Sequence, residues 1–97
     1  MSFVQVIEYE TDRADEIMAL GEEQRSEMPE SPEGFRVTVT RDRDNPNRYF
    51  TIVEFPSYED AMANSGRPET DAFARRLAAL CTGGPRYYNL DVIATMP

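Results

Sequence analysis

Hydrophobic and polar positions alternate in four segments of the chain, and this periodicity predicts four β-strands. The segments are residues 3–9, 35–41, 48–55 and 86–93, and they are rich in β-branched and aromatic residues. In residues 48–55 large apolar side chains point to both faces, as Phe50 and Ile52 do on one face and Val53 and Phe55 on the other. We therefore expect both faces of this strand to be covered.

Between the first two strands the apolar residues recur with helical spacing. The residues of this stripe are Ala14, Ile17, Met18, Gly21 and Met28. Thr11 and Asp12 offer an N-cap, and Pro29 disfavours helical geometry at the residue before it. The pattern predicts an amphipathic helix that ends at Met28, followed by a loop over residues 29–34.

A second helical region follows the third strand. Ser57 is the predicted N-cap, with Asp60 placed to answer it. The sequence of residues 64–68 interrupts the helix, and a second helical piece begins near Pro68, a residue that the first helical position tolerates. Its apolar stripe is Phe73, Leu77 and Leu80, and Gly83, Gly84 and Pro85 end it.

The order of elements is therefore β-α-β-β-α-β in a single domain, residues 1–97. Right-handed crossovers and the pairing of adjacent strands favour a ferredoxin-like α+β sandwich with a four-stranded antiparallel sheet. The first and third strands are the most apolar, and we predict that they are central.

Strand alternation divides the sheet into two predicted faces. The more apolar set, which we assign to the helices, is Phe3, Ile7, Tyr9, Phe35, Val37, Val39, Tyr49, Val53, Phe55, Tyr88, Leu90 and Val92. The mixed set is Val4, Val6, Glu8, Arg36, Thr38, Thr40, Phe50, Ile52, Glu54, Tyr87, Asn89, Asp91 and Ile93. A face with an apolar centre and charged members suits neither free solvent nor a dry core, and it predicts a homodimer that packs sheet to sheet.

Charge and missing residue types restrict the functions. The net charge of −8 disfavours a nucleic-acid partner, because an acidic surface repels phosphates. The chain contains no His, so no His-based metal site, haem ligand or catalytic triad can form, and we predict no cofactor and no metal. No apolar run is long enough for a membrane partner, and no export signal is visible. We expect a cytoplasmic protein, and the single Cys81 agrees with that location.

Several motifs together resemble the dimeric α/β-barrel proteins of the antibiotic-biosynthesis-monooxygenase-like group. They are Thr40-Arg41-Asp42, Asn45-Pro46-Asn47-Arg48-Tyr49, the run from Val53 to Met62, and Pro68-Glu69-Thr70 with Phe73-Ala74. The resemblance covers essentially the whole chain. It implies a ferredoxin-like dimer and a group that includes cofactor-independent monooxygenases of aromatic polyketides, quinol oxygenases and haem-degrading enzymes. Phe55 stands about where many members of the group carry Trp.

Two functions remain open on this sequence. The first is a cofactor-independent monooxygenase-like enzyme, or a related isomerase or cyclase, acting on a small aromatic or polyketide-like molecule. Its candidate catalytic residues are Asn64, Glu8 and Arg36, and its candidate pocket residues are Glu54, Phe55, Tyr87 and Asn89. A buried carboxylate would have a raised pKa and could abstract a proton, and an amide at the helix break could hold a substrate oxygen. The second is a non-catalytic homodimeric module for a small ligand or another protein, in which the charged residues form interface ion pairs.

Overall fold

The computed structural model describes residues 2–27 and 33–97. The elements are β1 (Phe3–Glu10), α1 (Ala14–Glu27), β2 (Arg36–Arg41), β3 (Arg48–Phe55), α2 (Tyr58–Ser65), α3 (Pro68–Leu80) and β4 (Arg86–Asp91). The strands form one antiparallel sheet in the order β2-β3-β1-β4. The predicted ferredoxin-like α+β fold and the central positions of β1 and β3 are confirmed.

The helices pack on one side of the sheet, which we call the inner side. A first cluster of buried residues joins Ile7 and Tyr9 of β1 to Ile17, Leu20 and Leu77 of the helices. A second, separate cluster consists of Phe3, Phe55 and Ala61, so that α2 covers the other end of β1. Because these buried side chains alternate along β1, the register of the sheet fixes which residues of the other strands share the inner side.

The register corrects the predicted faces of the last strand. Leu90 and Tyr88 pair with Val4 and Val6, so they lie on the side away from the helices. Tyr87, Asn89 and Asp91 pair with Ile7, Gln5 and Phe3 and lie on the inner side. The alternation within β4 was predicted correctly, but its two faces were exchanged, because the prediction placed the more apolar residues Tyr88 and Leu90 against the helices, whereas pairing with β1 places them on the opposite side of the sheet.

The side of the sheet away from the helices, which we call the open face, is made of three rows across the four strands. Read from β2 to β4, the rows are Arg36-Glu54-Val4-Leu90, Thr38-Ile52-Val6-Tyr88 and Thr40-Phe50-Glu8-Arg86. The Tyr88 hydroxyl donates a hydrogen bond to Glu8 Oε1 at 2.9 Å, and Arg36 Nε lies 3.8 Å from Glu54 Oε2. The open face therefore carries an apolar centre with charged groups at its borders.

The helix boundaries agree with the predicted signals with two differences. Ser57 Oγ accepts a hydrogen bond from the Asp60 amide at 3.1 Å, and α3 begins at Pro68. Helix α1 begins later than expected from a cap at Thr11 or Asp12, and Thr11 is instead buried, donating to the Leu80 carbonyl at 2.7 Å. The buried stripe of α1 is centred on Ile17 and Leu20, and Met18 is exposed. The predicted end at Met28 lies outside the described residues.

Candidate functional site

The middle of the inner side is a row of four residues that crosses the whole sheet. Val37 of β2 pairs with Val53 of β3, Val53 with Gln5 of β1, and Gln5 with Asn89 of β4. We call these four residues the inner row. Neighbouring strands are spaced about 4.8 Å apart, so the row is about 14 Å long.

The inner row lies between the two buried clusters. Gln5 is flanked along β1 by Phe3 of one cluster and Ile7 of the other, and the partly buried Val53 packs against both. Val37 is 51% exposed and Asn89 is also exposed, whereas Gln5 and Val53 are half-buried. The row thus runs beneath the helical layer and reaches solvent at both edges of the sheet.

The polar half of the inner row is an amide pair. Gln5 Nε2 donates a hydrogen bond to Asn89 Oδ1 at 3.0 Å. Gln5 occupies the middle of the central strand β1, where the preceding and following inner residues are buried apolar groups. Because a polar group in such a position requires partners, water or a ligand must serve the remaining amide atoms.

Two hydroxyl groups lie next to this row on the inner side. Tyr9 is 3% exposed, its ring stacks on Tyr49 with centroids 5.8 Å apart, and its hydroxyl lies 2.9 Å from Thr51 Oγ1. Burial raises the pKa of the Tyr9 phenol above its ordinary value, although the hydrogen bond with Thr51 opposes the shift. Burial also raises the pKa of the half-exposed Tyr87 phenol, with a smaller effect from Cys81. Both phenols are therefore neutral at physiological pH.

Cys81 is an unreactive thiol in this environment. It follows the last residue of α3 and packs against the first buried cluster. Burial raises the pKa of the Cys81 thiol, which lowers the fraction of nucleophilic thiolate. This is the behaviour of a packing residue.

The candidate residue Asn64 lies near the break between α2 and α3. Its backbone carbonyl accepts a hydrogen bond from the Arg67 amide at 3.1 Å, and its Oδ1 lies 3.4 Å from Thr70 Oγ1. The side chain is half-buried and thus joins the two helices. The amide nitrogen of Asn64 has no hydrogen bond within the described part of the chain and is free to donate one to a ligand.

The remaining predicted site residues lie on two sides of the sheet. Glu8, Arg36 and Glu54 lie on the open face, where Glu8 accepts from Tyr88 and the other two form an ion pair. Tyr87 and Asn89 lie on the inner side. A sheet of backbone separates these two groups, so they do not converge on one ligand.

Phe55, also predicted to line a pocket, is a core residue. It is 5% exposed, and its ring meets Phe35 edge to face with centroids 5.4 Å apart. It supports the second buried cluster rather than facing an open space.

Two inner-side residues were not assigned to this site from the sequence. Gln5 was not singled out, although a glutamine in the middle of an otherwise apolar central strand is a recognisable signal. Asp91 was predicted as a member of the mixed face, and its pairing with Phe3 places it on the inner side. Among the strand residues, all of which the structure describes, Asp91 is the one carboxylate on the inner side.

The described residues contain neither a candidate metal cluster nor a candidate membrane-spanning helix. Within residues 2–27 and 33–97 no cluster of His, Cys, Asp and Glu could hold a metal ion. No helix in this described portion is both long enough and apolar enough to cross a bilayer.

The fold and the inner side with its open edges define a ferredoxin-like protein with the fold of the antibiotic-biosynthesis-monooxygenase-like proteins. SnoaB, a cofactor-independent oxygenase from Streptomyces nogalater, superposes with a TM-score of 0.79 at 21% identity over 99% of this chain and 97% of its own. A solved antibiotic biosynthesis monooxygenase gives 0.72 at 15% identity over 97% of this chain and 100% of its own.

A conserved protein from Methanosarcina mazei Go1 has a similar structure, with a TM-score of 0.78 at 13% identity, covering 93% of this chain and 91% of that one. No family model matches the sequence. No curated protein matches it either. At these identities the likeness establishes the shared fold.

Proposed function

We propose that the protein is a cofactor-independent monooxygenase-like enzyme that binds a flat aromatic or polyketide-like molecule along the inner row. The observation that carries the proposal is the inner row itself, in which apolar Val37 and Val53 continue into the Gln5–Asn89 amide pair. Apolar side chains with a few convergent polar groups are the usual lining of a small-molecule site, and we call the proposed ligand space along the inner row the trough. SnoaB, which shares the fold, is a cofactor-independent oxygenase.

The proposed reaction needs a base and molecular oxygen. Asp91 lies on the same side of β4 as Asn89, two residues further along the strand, and it would accept a proton from an activated C–H bond of the substrate. The resulting carbanion reacts with O₂. For a CH₂ group the products are a carbonyl group and water, so one O₂ is consumed for each substrate oxidised. The Asn64 amide would hold a substrate oxygen as negative charge develops there.

We further propose that the open face joins two copies of the chain. Val4, Val6, Ile52 and Phe50 are only half-buried, and Leu90 is 48% exposed, so the centre of the open face is an uncovered apolar surface. A second copy covers this surface and surrounds Glu8, Arg36 and Glu54 with partners. In this assembly those three charged residues are interface residues, and the inner side of each copy stays available to ligand.

The second candidate is a binding module without catalysis. It is favoured by the bonding of Glu8 to Tyr88 and of Arg36 to Glu54, because both carboxylates already have partners in a structural role. In a binding module the inner row still takes a flat ligand, and Asp91 only solubilises the edge.

Oxygen consumption with anthrone as substrate distinguishes the monooxygenase-like enzyme from the non-catalytic binding module. Anthrone is a flat three-ring ketone with an acidic CH₂ group, and its oxidation to anthraquinone uses one O₂ and releases one water. We expect metal-free protein to accelerate O₂ uptake, Asp91→Asn to lower that rate at least about tenfold, and Glu8→Gln to leave it within about twofold. Binding of anthrone without O₂ uptake would favour the module. A greater loss in Glu8→Gln than in Asp91→Asn would instead assign the chemistry to the open face.

A further inference from the structure

We propose that the Gln5–Asn89 pair is the specificity determinant of the inner row and that it recognises a neutral phenolic hydroxyl group. The inference rests on the proposed function, because it concerns the ligand of the same trough. The sequence does not indicate that Gln5 and Asn89 are in contact, because they lie 84 positions apart.

The first step is the hydrogen-bonding capacity that the pair leaves unused. The bond from Gln5 Nε2 to Asn89 Oδ1 occupies one donor of one amide and one acceptor site of the other. Gln5 Oε1 remains as an acceptor and Asn89 Nδ2 as a donor, with no further protein partner within the described residues. If both amides are rotated by half a turn, the roles exchange and the pair again offers one unbonded carbonyl oxygen and one unbonded NH₂ group.

The second step is the ligand group that matches this capacity. A phenolic hydroxyl both donates and accepts, so it donates to the free carbonyl oxygen and accepts from the free NH₂ group. An ether can only accept, and it leaves the amide carbonyl without a partner. A phenolate cannot donate, and it faces the carbonyl dipole with its negative charge. The pair therefore favours the protonated phenol over both.

The third step is the position of the pair within the trough. Apolar Val53 adjoins Gln5 in the row, and Val37 continues the row to the opposite edge. A ring system that lies on Val53 and Val37 thus has its hydroxyl-bearing end at β4. The pair fixes which end of a flat ligand points towards Asp91.

The test uses 2-naphthol, 2-methoxynaphthalene and naphthalene as probes of equal ring size. Dissociation constants are measured by isothermal titration calorimetry below the pKa of 2-naphthol. Two neutral hydrogen bonds that replace bonds to water predict that 2-naphthol binds about tenfold more tightly than naphthalene. We expect 2-methoxynaphthalene to bind no more tightly than naphthalene.

Variants assign the preference to the pair. Gln5→Leu and Asn89→Leu keep side-chain size and are each expected to abolish the preference for 2-naphthol while naphthalene still binds. Asn47→Leu, an exposed amide in the β2–β3 turn, is the matched control and should keep the preference. Retention of the preference in both row variants would overturn the inference.

A measurement on the unmodified protein covers the case in which a variant does not fold. In a ¹H–¹⁵N correlation spectrum, 2-naphthol should shift the side-chain NH₂ signals of Gln5 and Asn89, and naphthalene should shift them much less. Equal shifts with both probes contradict the pair's role but leave the trough as a ligand site. If neither probe binds, the proposed function fails together with the inference.

Discussion

At the scale of single residues, Tyr9 shows how the inner side controls ionisation. Its ring is stacked on Tyr49, and Thr51 is the one hydrogen-bonding partner of its hydroxyl among the described side chains. Burial disfavours the charged phenolate, and the pKa of Tyr9 is raised in the folded protein relative to the unfolded chain. The folded state therefore binds this proton more tightly than the unfolded state does.

This difference predicts a loss of stability in alkaline solution. As pH rises through the ordinary tyrosine value towards the raised one, the unfolded chain releases the proton first, so the free energy of unfolding falls. We expect Tyr9→Phe to lose less stability than the parent protein between about pH 8 and pH 11, measured by urea unfolding. Tyr58→Phe, at a half-exposed tyrosine, is the control. An equal alkaline loss in Tyr9→Phe and the parent would contradict the prediction.

Residue identity alone did not indicate the candidate site on the inner side. Gln5 becomes informative only through its register with Val53 and Asn89, which pairs residues far apart in the sequence. Similarly, the helical stripe through Ala14, Ile17 and Met18 left out Leu20, because two overlapping stripes satisfy the same spacing and only packing on the sheet selects one. Local periodicity predicts that a helix or strand has a buried face. Tertiary contacts decide which of its residues lie on that face.

At the scale of elements, local signals predicted most of the fold. The bounds of β3 and the start of α3 at Pro68 agree with the structure, because turn residues and proline act through backbone geometry that needs no partner. The faces of β4 could not be predicted from hydrophobicity, since its more apolar residues, Tyr88 and Leu90, lie on the open face and its polar residues, Asn89 and Asp91, lie on the inner side. The register of β4 against β1 determines which residues lie on each face, and that register exists only in the assembled sheet.

The cap of α2 offers a direct test at this scale. Ser57 Oγ accepts from the Asp60 amide and donates to Asp60 Oδ2 at 3.0 Å, which satisfies an otherwise unpaired amide in the first turn. Ser57→Ala should lower the free energy of unfolding by about 1 kcal/mol in urea denaturation. Ser26→Ala, in the last turn of α1, should not lower it, because Ser26 Oγ donates only to the Glu23 carbonyl of the preceding turn and alanine has the higher helix propensity. A comparable loss of unfolding free energy in both variants would show that the N-cap hydrogen bond of Ser57 is not the cause.

At the scale of the whole molecule, the two sides of the sheet have separate proposed tasks. In the proposal above, the inner side takes the ligand and the open face takes a second copy. The ion pair between Arg76 and Glu23, with nitrogen–oxygen distances of 2.9 and 3.2 Å, links α1 to α3 on the exposed surface of the helical layer. A change on one side of the sheet should therefore leave the task of the other side intact.

A reciprocal pair of lysine substitutions tests this separation. Ile52→Lys introduces a charge at the centre of the open face and should convert a dimer of twice 11.1 kDa into a monomer in sedimentation equilibrium. Val39→Lys alters the inner side of the edge strand β2 and should leave the dimer intact. Circular dichroism checks that both variants fold. A monomeric parent protein, or a dimer that survives Ile52→Lys, would contradict the proposed interface.

The rows of the open face have one further consequence. A half-turn about the normal to the sheet exchanges Arg36 with Arg86, Glu54 with Glu8, and Ile52 with Val6. The charge pattern is thus nearly unchanged by the rotation, and electrostatics alone gives two almost equivalent ways to dock a partner. The choice between them depends on the three exchanged pairs in which bulk differs: Phe50 against Val4, Tyr88 against Thr38, and Leu90 against Thr40. In the proposed dimer, shape therefore selects a single orientation of the partner sheet, and substitutions that equalise these six side chains would create a dimer with two coexisting geometries.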